Sequence, residues 1–315
     1  MTPERCVSAV IVTYQSAACI GACLDSLRSM AKEWLTDCIV VDNASGDGTA
    51  TEIRSRFPDV TLIENSENVG FGKAVNIGAR HAHGSLLLIL NPDTIVQPGA
   101  IGELALFMRY RVEACACGPK IIGTDGVFEE SSRRGFPTPW NALGYFLCLD
   151  RLLPRSRVFG SYHRLGFSQD FEAMIECLSG ACMMVRKSCF DEVDGFDEDY
   201  FLFGEDIDLC WRLHHTGMEI WYVPAALLVH RKGMSMRQTP RSAHHEFYRA
   251  MRLFFDKRLK QSYSRLLILA TRSGITAAEM LSRRFSSFKD RSDDAESVHF
   301  EKESGWPNKL QKLKP

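Results

Sequence analysis

Along the first hundred positions, short apolar blocks rich in β-branched residues alternate with stretches of helical spacing. Val7–Thr13 is a continuous apolar run and predicts a strand buried on both faces. Ser16 can cap a helix whose inner face is Ile20, Cys23, Leu24 and Leu27. Cys38–Val41, Val60–Ile63 and Ser85–Leu90 repeat the strand pattern, and helices are predicted over Thr51–Phe57, Gly70–Ala82 and Pro98–Tyr110. Such alternation implies an α/β fold with a mostly parallel sheet flanked by helices.

The second half is less regular. Ile121–Ile175 has no sustained period. Within it the apolar stretch Trp140–Leu153, close to Arg151, Arg155, Arg157 and Arg164, fits an acceptor-side insertion, an interfacial helix or a packed helix equally well. Gly180–Val185 reads as a buried strand and Ser188–Val193 as a short helix. After Gly204, the residues Ile207, Cys210, Trp211 and His214 fall on one helical face, with Gly217 as the stop. Ile220–Val223 and Ala226–Val229 read as extended, and Ala243–Leu259 as an amphipathic helix. The segment beyond Arg283 has the polar, mixed-charge composition of a disordered tail. The domains expected are 1–235 for the α/β body, 236–285 for a basic helical extension and 286–315 for the tail.

In open α/β sheets, ligands bind outside the carboxyl ends of the strands. Thr13-Tyr14, Asp42-Asn43 and Asn91-Pro92-Asp93 all stand at such ends. Asn91 and Asp93 offer two oxygen-bearing side chains in the manner of a Mg²⁺ or Mn²⁺ site completed by substrate phosphates; an Asx turn closing the strand explains them equally simply. His230, at a later strand end, could be a further ligand. The loop Asn68-Val69-Gly70-Phe71-Gly72-Lys73 lacks the third glycine of a dinucleotide fingerprint, yet it puts Lys73 in the first turn of a helix suited to phosphate. Glu205 and Asp206 open a helix in apolar surroundings. They complement the helix dipole, or one of them is a general base at the edge of a half-buried pocket.

Charge divides the chain. Residues 1–230 hold 19 Lys/Arg against 30 Asp/Glu, whereas 231–315 hold 19 against 9. The basic end suits an anionic partner such as a phospholipid surface: the Ala243–Leu259 helix and the basic residues after it either dock on the anionic inner face of a membrane or cap the body, with equal support. No aromatic-interleaved basic stripe supports nucleic acid. The eleven cysteines contain no C-x-x-C, which fits buried thiols in a reducing compartment better than zinc. The expected location is cytoplasmic, with any membrane contact peripheral and on the inner face.

Taken in order, the segments 10–14 (Val-Ile-Val-Thr-Tyr), 40–49 (Val-Val-Asp-Asn-Ala-Ser-Gly-Asp-Gly-Thr), 68–72 (Asn-Val-Gly-Phe-Gly), 90–94 (Leu-Asn-Pro-Asp-Thr), 179–186 and 195–210 resemble the family 2 inverting glycosyltransferases of the GT-A fold, in particular the bacterial rhamnosyltransferase-like enzymes. The resemblance spans about residues 7–235. It implies transfer of a sugar, with rhamnose a candidate, from a nucleoside-diphosphate-sugar to a saccharide or lipid-linked acceptor in cell-surface polysaccharide synthesis. By the same resemblance Thr13, Tyr14, Asp42 and Asn43 line the nucleoside pocket. Asn68, Gly70 and Lys73 border the ribose and diphosphate, and Asn91 and Asp93 form the metal motif. Gly180 lies under the transferred sugar, Asp206 is the base with Glu205 beside it, and His230 joins the metal or leaving phosphate. Asn91 departs from the motif, which often begins with aspartate, and so keeps an oxygen but loses a charge. The competing readings are an inactive sugar-nucleotide-binding or scaffold protein and a nicotinamide oxidoreductase. The second is disfavoured because the first strand–helix turn has no glycine.

Overall fold

The computed structural model describes residues 5–139, 168–231 and 240–280. The Trp140–Leu153 stretch, its four arginines and the tail from 286 lie outside the described residues. The chain forms two compact units, 1–263 and 264–315.

In the first unit the predicted strands form β1 (Val7–Thr13), β2 (Leu35–Asp42), β3 (Thr61–Glu64), β4 (Leu86–Leu90) and β10 (Cys182–Arg186). The helices between them are α1 (Ile20–Ala31), α2 (Thr49–Arg56), α3 (Phe71–Ala79), α4 (Ala100–Tyr110) and α5 (Lys187–Glu192). Helix α6 (Glu205–His214) starts directly after Gly204, where the apolar spacing placed it. The cap expected from Ser16 differs: its backbone carbonyl takes the N–H groups of Cys19 and Ile20, and no side chain caps α1.

Five further strands lie outside the predicted set: β5 (Thr94–Val96), β6 (Ala114–Gly123), β7 (Arg133–Arg134), β8 (Ala173–Met174) and β9 (Cys177–Leu178). The two late extended segments are one strand, β11 (Glu219–His230). Its register against β6 slips between Val223 and Leu227, opposite Pro119 and Lys120. A proline cannot donate to a sheet ladder, so a bulge is where β6 tolerates one.

Among the described residues the main sheet has nine strands in the order β3-β2-β1-β4-β10-β6-β11-β5, with β8 beside β11. The pairs β2–β3, β1–β2, β1–β4 and β6–β11 are parallel. Strand β10 runs antiparallel between β4 and β6. A helix face of Ile20, Cys23, Leu24 and Leu27 and the core of α4 pack on one side of this sheet. The cysteines serve as small core residues, and burial pushes the Cys23 thiol up to about 12. Helix α7 (Pro240–Phe254) belongs to the first unit and ends in a π turn over Phe255–Leu259. A separate helix over 265–280 opens the second unit. Among the described residues no helix is long and apolar enough to cross a membrane.

Candidate active site

The tips of β1 and β2 build the first part of the site. Asp42 is buried at the end of β2, and its Oδ1 accepts hydrogen bonds from Thr13 Oγ1 at 2.7 Å and Ser45 Oγ at 2.6 Å. Its Oδ2 accepts from the Ser45 N–H at 2.9 Å. Asn43 donates to the Gly70 carbonyl at 3.1 Å, tying β2 to the loop before α3. Asn68 closes that loop by accepting from the Gly70 N–H at 3.0 Å. Tyr14 extends from the tip of β1, 40% exposed. Gln15 and Ala44, next to these tips, have positive φ angles of 53° and 58°, a strained conformation that clusters at ligand sites.

Gly70 adopts φ 87° and ψ 171°, a region only glycine enters cheaply. A Cβ there would stand 2.6 Å from the Phe201 carbonyl oxygen, which accepts the Phe71 N–H at 3.0 Å. The loop before α6 therefore lies directly on the loop before α3. Gly70→Ala is expected to cost about 1–3 kcal/mol in thermal or urea unfolding from the backbone region alone. A variant melting like the parent would show that this close approach is dispensable.

The second part joins the ends of β4 and β11. Thr94 pairs with His230 in the β5–β11 ladder, which brings Asp93 and His230 together across 137 residues. His230 Nε2 lies 3.1 Å from Asp93 Oδ1, and Nδ1 lies 3.1 Å from Glu129 Oε1. All three side chains are buried. Burial opposes a charge on this imidazole, but the hydrogen bonds to Asp93 and Glu129 outweigh it and push its pKa up to about 9. Glu129 was not found from sequence, since it lies in the aperiodic middle section. The half-buried Asn91 side chain makes no hydrogen bond among the described residues.

These residues fit a divalent cation. One carboxylate and one imidazole nitrogen face each other, and a second carboxylate fixes the ring's other nitrogen, the arrangement that orients metal-bound histidines. Among the described residues no three His, Cys, Asp or Glu side chains suffice to hold an ion alone. The remaining ligands therefore have to come from water or substrate, as is usual for Mg²⁺.

The third part is the start of α6. Asp206 Oδ1 accepts the Ile207 N–H at 2.8 Å and Oδ2 accepts the Gly180 N–H at 2.9 Å. Arg134, from β7, donates to the same Oδ2 at 2.6 Å and to the Leu178 carbonyl at 2.8 Å. A Cβ on Gly180 would meet the Asp206 carboxylate at 3.5 Å, an ordinary van der Waals contact, so the two residues are direct neighbours. The next residue, Ala181, accepts the Asn91 N–H at 2.9 Å. Gly180 and Ala181 thus join the Asp206 carboxylate to the tip of β4, two residues from Asp93.

Two candidates stand apart from this cluster. Lys73 makes its ion pair with Glu198 at 3.7 Å, both partly exposed. Glu205 is turned inward: it is 7% exposed, its Oε2 has no hydrogen-bond partner among the described residues, and its Cβ packs near Gly72. Burial, reinforced by the Asp206 charge, pushes its carboxyl up to about 8, so it is mainly neutral at pH 7. The unfolded chain ionises this group from about pH 4.5, and the native state holds its proton longer. Stability is therefore lost as pH rises between those values. The Glu205→Gln variant should gain on the parent in melting temperature between pH 5 and pH 8. A constant difference across that range would refute a buried neutral acid.

The model for "Glycosyl transferase family 2" matches residues 8–193, more than half of the chain. The chain belongs to glycosyl transferase family 2. It is accordingly a glycosyltransferase. A second model, "N-terminal domain of galactosyltransferase", matches residues 165–237, which include α6 and β11. Among curated relatives, the N-acetylglucosaminyl-diphospho-decaprenol L-rhamnosyltransferase of Mycobacterium tuberculosis is 34% identical over 251 residues, covering 75% of this chain and 80% of that protein. Rhamnosyltransferase WbbL of Escherichia coli is 28% identical over 51% of this chain and 60% of its own length. Among solved structures, GalNAc-T7 with UDP, GalNAc and Mn²⁺ superposes with a TM-score of 0.57 at 16% identity, over 80% of this chain and 48% of that one. Staphylococcus aureus TarS 1–349 with UDP gives 0.55 at 17% identity, over 90% and 72%. Both share the GT-A fold with this family member.

Proposed function

We propose that this family 2 enzyme transfers a sugar, with inversion, from a nucleoside-diphosphate-sugar to a hydroxyl of a saccharide or lipid-linked saccharide in cell-surface polysaccharide synthesis. The observation that carries the mechanism is the short link from the Asp206 carboxylate through Gly180 and Ala181 to the tip of β4, where Asp93 stands. It supports a single cleft that serves both an acid-bound cation and a proton acceptor. The identity with the mycobacterial relative supports rhamnose as the sugar and a polyprenyl-diphosphate-linked sugar as the acceptor.

In this mechanism Asp42, held by Thr13 and Ser45, and the Asn43–Gly70 loop bind the nucleoside. When bound at Asp93 and His230, Mg²⁺ or Mn²⁺ would supply positive charge to the departing diphosphate. The acceptor oxygen attacks the anomeric carbon as the bond to diphosphate breaks, and its proton goes to Asp206. Two backbone N–H groups fix that carboxylate, and its place in the first turn of α6 sets it against the positive end of the helix dipole. Glu205, being neutral, adds no competing negative charge next to it. The Lys73–Glu198 pair is exposed enough to be worth little, so Lys73 is free to exchange it for phosphate. A panel of nucleotide sugars with Mg²⁺, Mn²⁺ or chelator, scored for released nucleoside diphosphate, tests this reading. Release from none of them would leave a binding protein.

We also propose that membrane contact, where it occurs, is made by the second unit. Residues of α7 are already committed to the first unit, since Tyr248, Ala250 and Phe254 are buried. The helix over 265–280 instead exposes Leu266, Leu269 and Met280 and carries Arg265 and Arg272. The protein should float with vesicles containing anionic phosphatidylglycerol and not with neutral ones. Equal recovery with both would remove this reading.

A further inference from the structure

Helix α6 presents Asp206 to the cleft and Asp208 to the opposite side, where Asp208 is fully buried. A buried carboxylate needs compensation, and two arginines supply it. Arg212, one turn on in the same helix, donates its Nε to Oδ2 at 2.8 Å. Arg258, from the π turn after α7, donates its Nε to Oδ1 at 2.6 Å and Nη2 to Oδ2 at 3.2 Å, a bidentate fork. The same Nη2 reaches Asp197 at 3.1 Å, in the loop that carries the Phe201 carbonyl onto the Gly70 turn.

Packing follows the same line. The Phe254 ring meets Trp211 of α6 edge-on at 5.7 Å between centroids. A Cβ on Gly204, the residue that opens α6, would stand 3.2 Å from the Ala250 methyl. The base-bearing helix and the loop before it are thus gripped from behind by a segment that lies beyond residues 8–193 and 165–237, where the family models match. Turns of the π type are uncommon and gather at functional sites. Here two consecutive basic residues of the turn converge on one loop, Lys257 reaching Asp197 at 2.6 Å while Arg258 spans Asp197 and Asp208.

We propose that Arg258 is a positioning residue for sugar transfer, acting through Asp208 to hold α6 so that Asp206 meets the acceptor hydroxyl. The inference rests on Asp206 being the base. A carboxylate that must take a proton in the transition state is sensitive to displacement, and misplacements of about 1 Å cost up to roughly 10²-fold in rate. The tips of β1 and β2 do not use the Arg258–Asp208 pair, and Lys257 still holds Asp197 when the fork is lost, so the loop on the Gly70 turn and nucleotide binding should be retained.

The test is a double-mutant cycle with full-length protein. Arg258→Lys keeps the charge and loses the fork. It should lower kcat roughly 10- to 100-fold with the donor KM near the parent's, and lower the melting temperature while the protein stays folded at the assay temperature. In an Asp206→Asn background, where no base remains to be aimed, Arg258→Lys should cause no further fall in residual turnover. Parent-like kcat in Arg258→Lys, or an equal fractional loss in both backgrounds, overturns the proposal. Parent-like turnover in Asp206→Asn alone instead overturns the base assignment, so the two failures are distinguished. If Arg258→Lys does not fold, the Asp208→Asn/Arg258→Gln pair removes both charges of the ion pair together. A kcat loss with intact nucleotide affinity supports the proposal there, and full kcat overturns it.

Discussion

Asp206→Asn should lower sugar transfer by roughly 10²–10⁴-fold, the usual contribution of a general base, while nucleotide-sugar affinity stays within a few-fold. The asparagine oxygen can still accept a backbone N–H from Gly180 or Ile207, so α6 keeps its start. What it cannot do is take the acceptor's proton or balance Arg134, which is largely buried beside it. Loss of that charge-assisted bond should cost about 1–3 kcal/mol of stability, visible in denaturant unfolding. The discriminating readout is single-turnover transfer at saturating donor, compared with nucleotide binding measured separately. Transfer at the parental rate would remove Asp206 from the role of base. A loss of transfer that tracks a loss of nucleotide binding would make it a structural residue instead.

Arg134 marks where the sequence stops being informative. Buried parallel strands are legible because both faces are covered, and β1 and β4 read directly from Val7–Thr13 and Leu86–Leu90. Strand β6 hid behind Gly118-Pro119 and a run of small residues, with only the Cys115/Cys117 alternation hinting at it. The direction of β10 depends on where a long connection returns, and no local pattern records that. The acids at strand tips were legible because strand ends are where such sheets bind ligands. Glu129 and Arg134 were not, for their roles come from hydrogen bonds spanning 101 and 72 residues. The Glu205-Asp206 pair was legible as a motif, yet which carboxyl faces the cleft was decided by helix phase: one lies against Gly180 and its neighbour against the interior. The Ala243–Leu259 pattern was amphipathic for a reason that its own residues show only in part, since Asp197 and Asp208 are its partners.

Asp93→Ala should weaken cation and nucleotide-sugar binding together, each by at least about 100-fold, the upper end of what even outer-shell losses cost at metal sites. The two are coupled because the donor set leaves the diphosphate to complete the ion's shell, and neither partner then binds well alone. The substitution also leaves the His230 ring held by Glu129 on its Nδ1 side, with no carboxylate opposite Nε2 to aim it across the gap toward β4. Glu129→Gln provides the graded comparison. It keeps a hydrogen-bonding group on Nδ1 but removes its charge, and should weaken Mn²⁺ binding by roughly 10–100-fold while Asp93 still reaches the donor. Mn²⁺ titration followed by electron paramagnetic resonance, with and without nucleoside diphosphate, separates the two variants without relying on turnover. Unchanged affinity for both ion and nucleotide in Asp93→Ala would take this aspartate out of the site. Loss of the ion with full retention of nucleotide binding would mean that the diphosphate is held by the α3 loop alone, and Lys73 would then be the group to replace next.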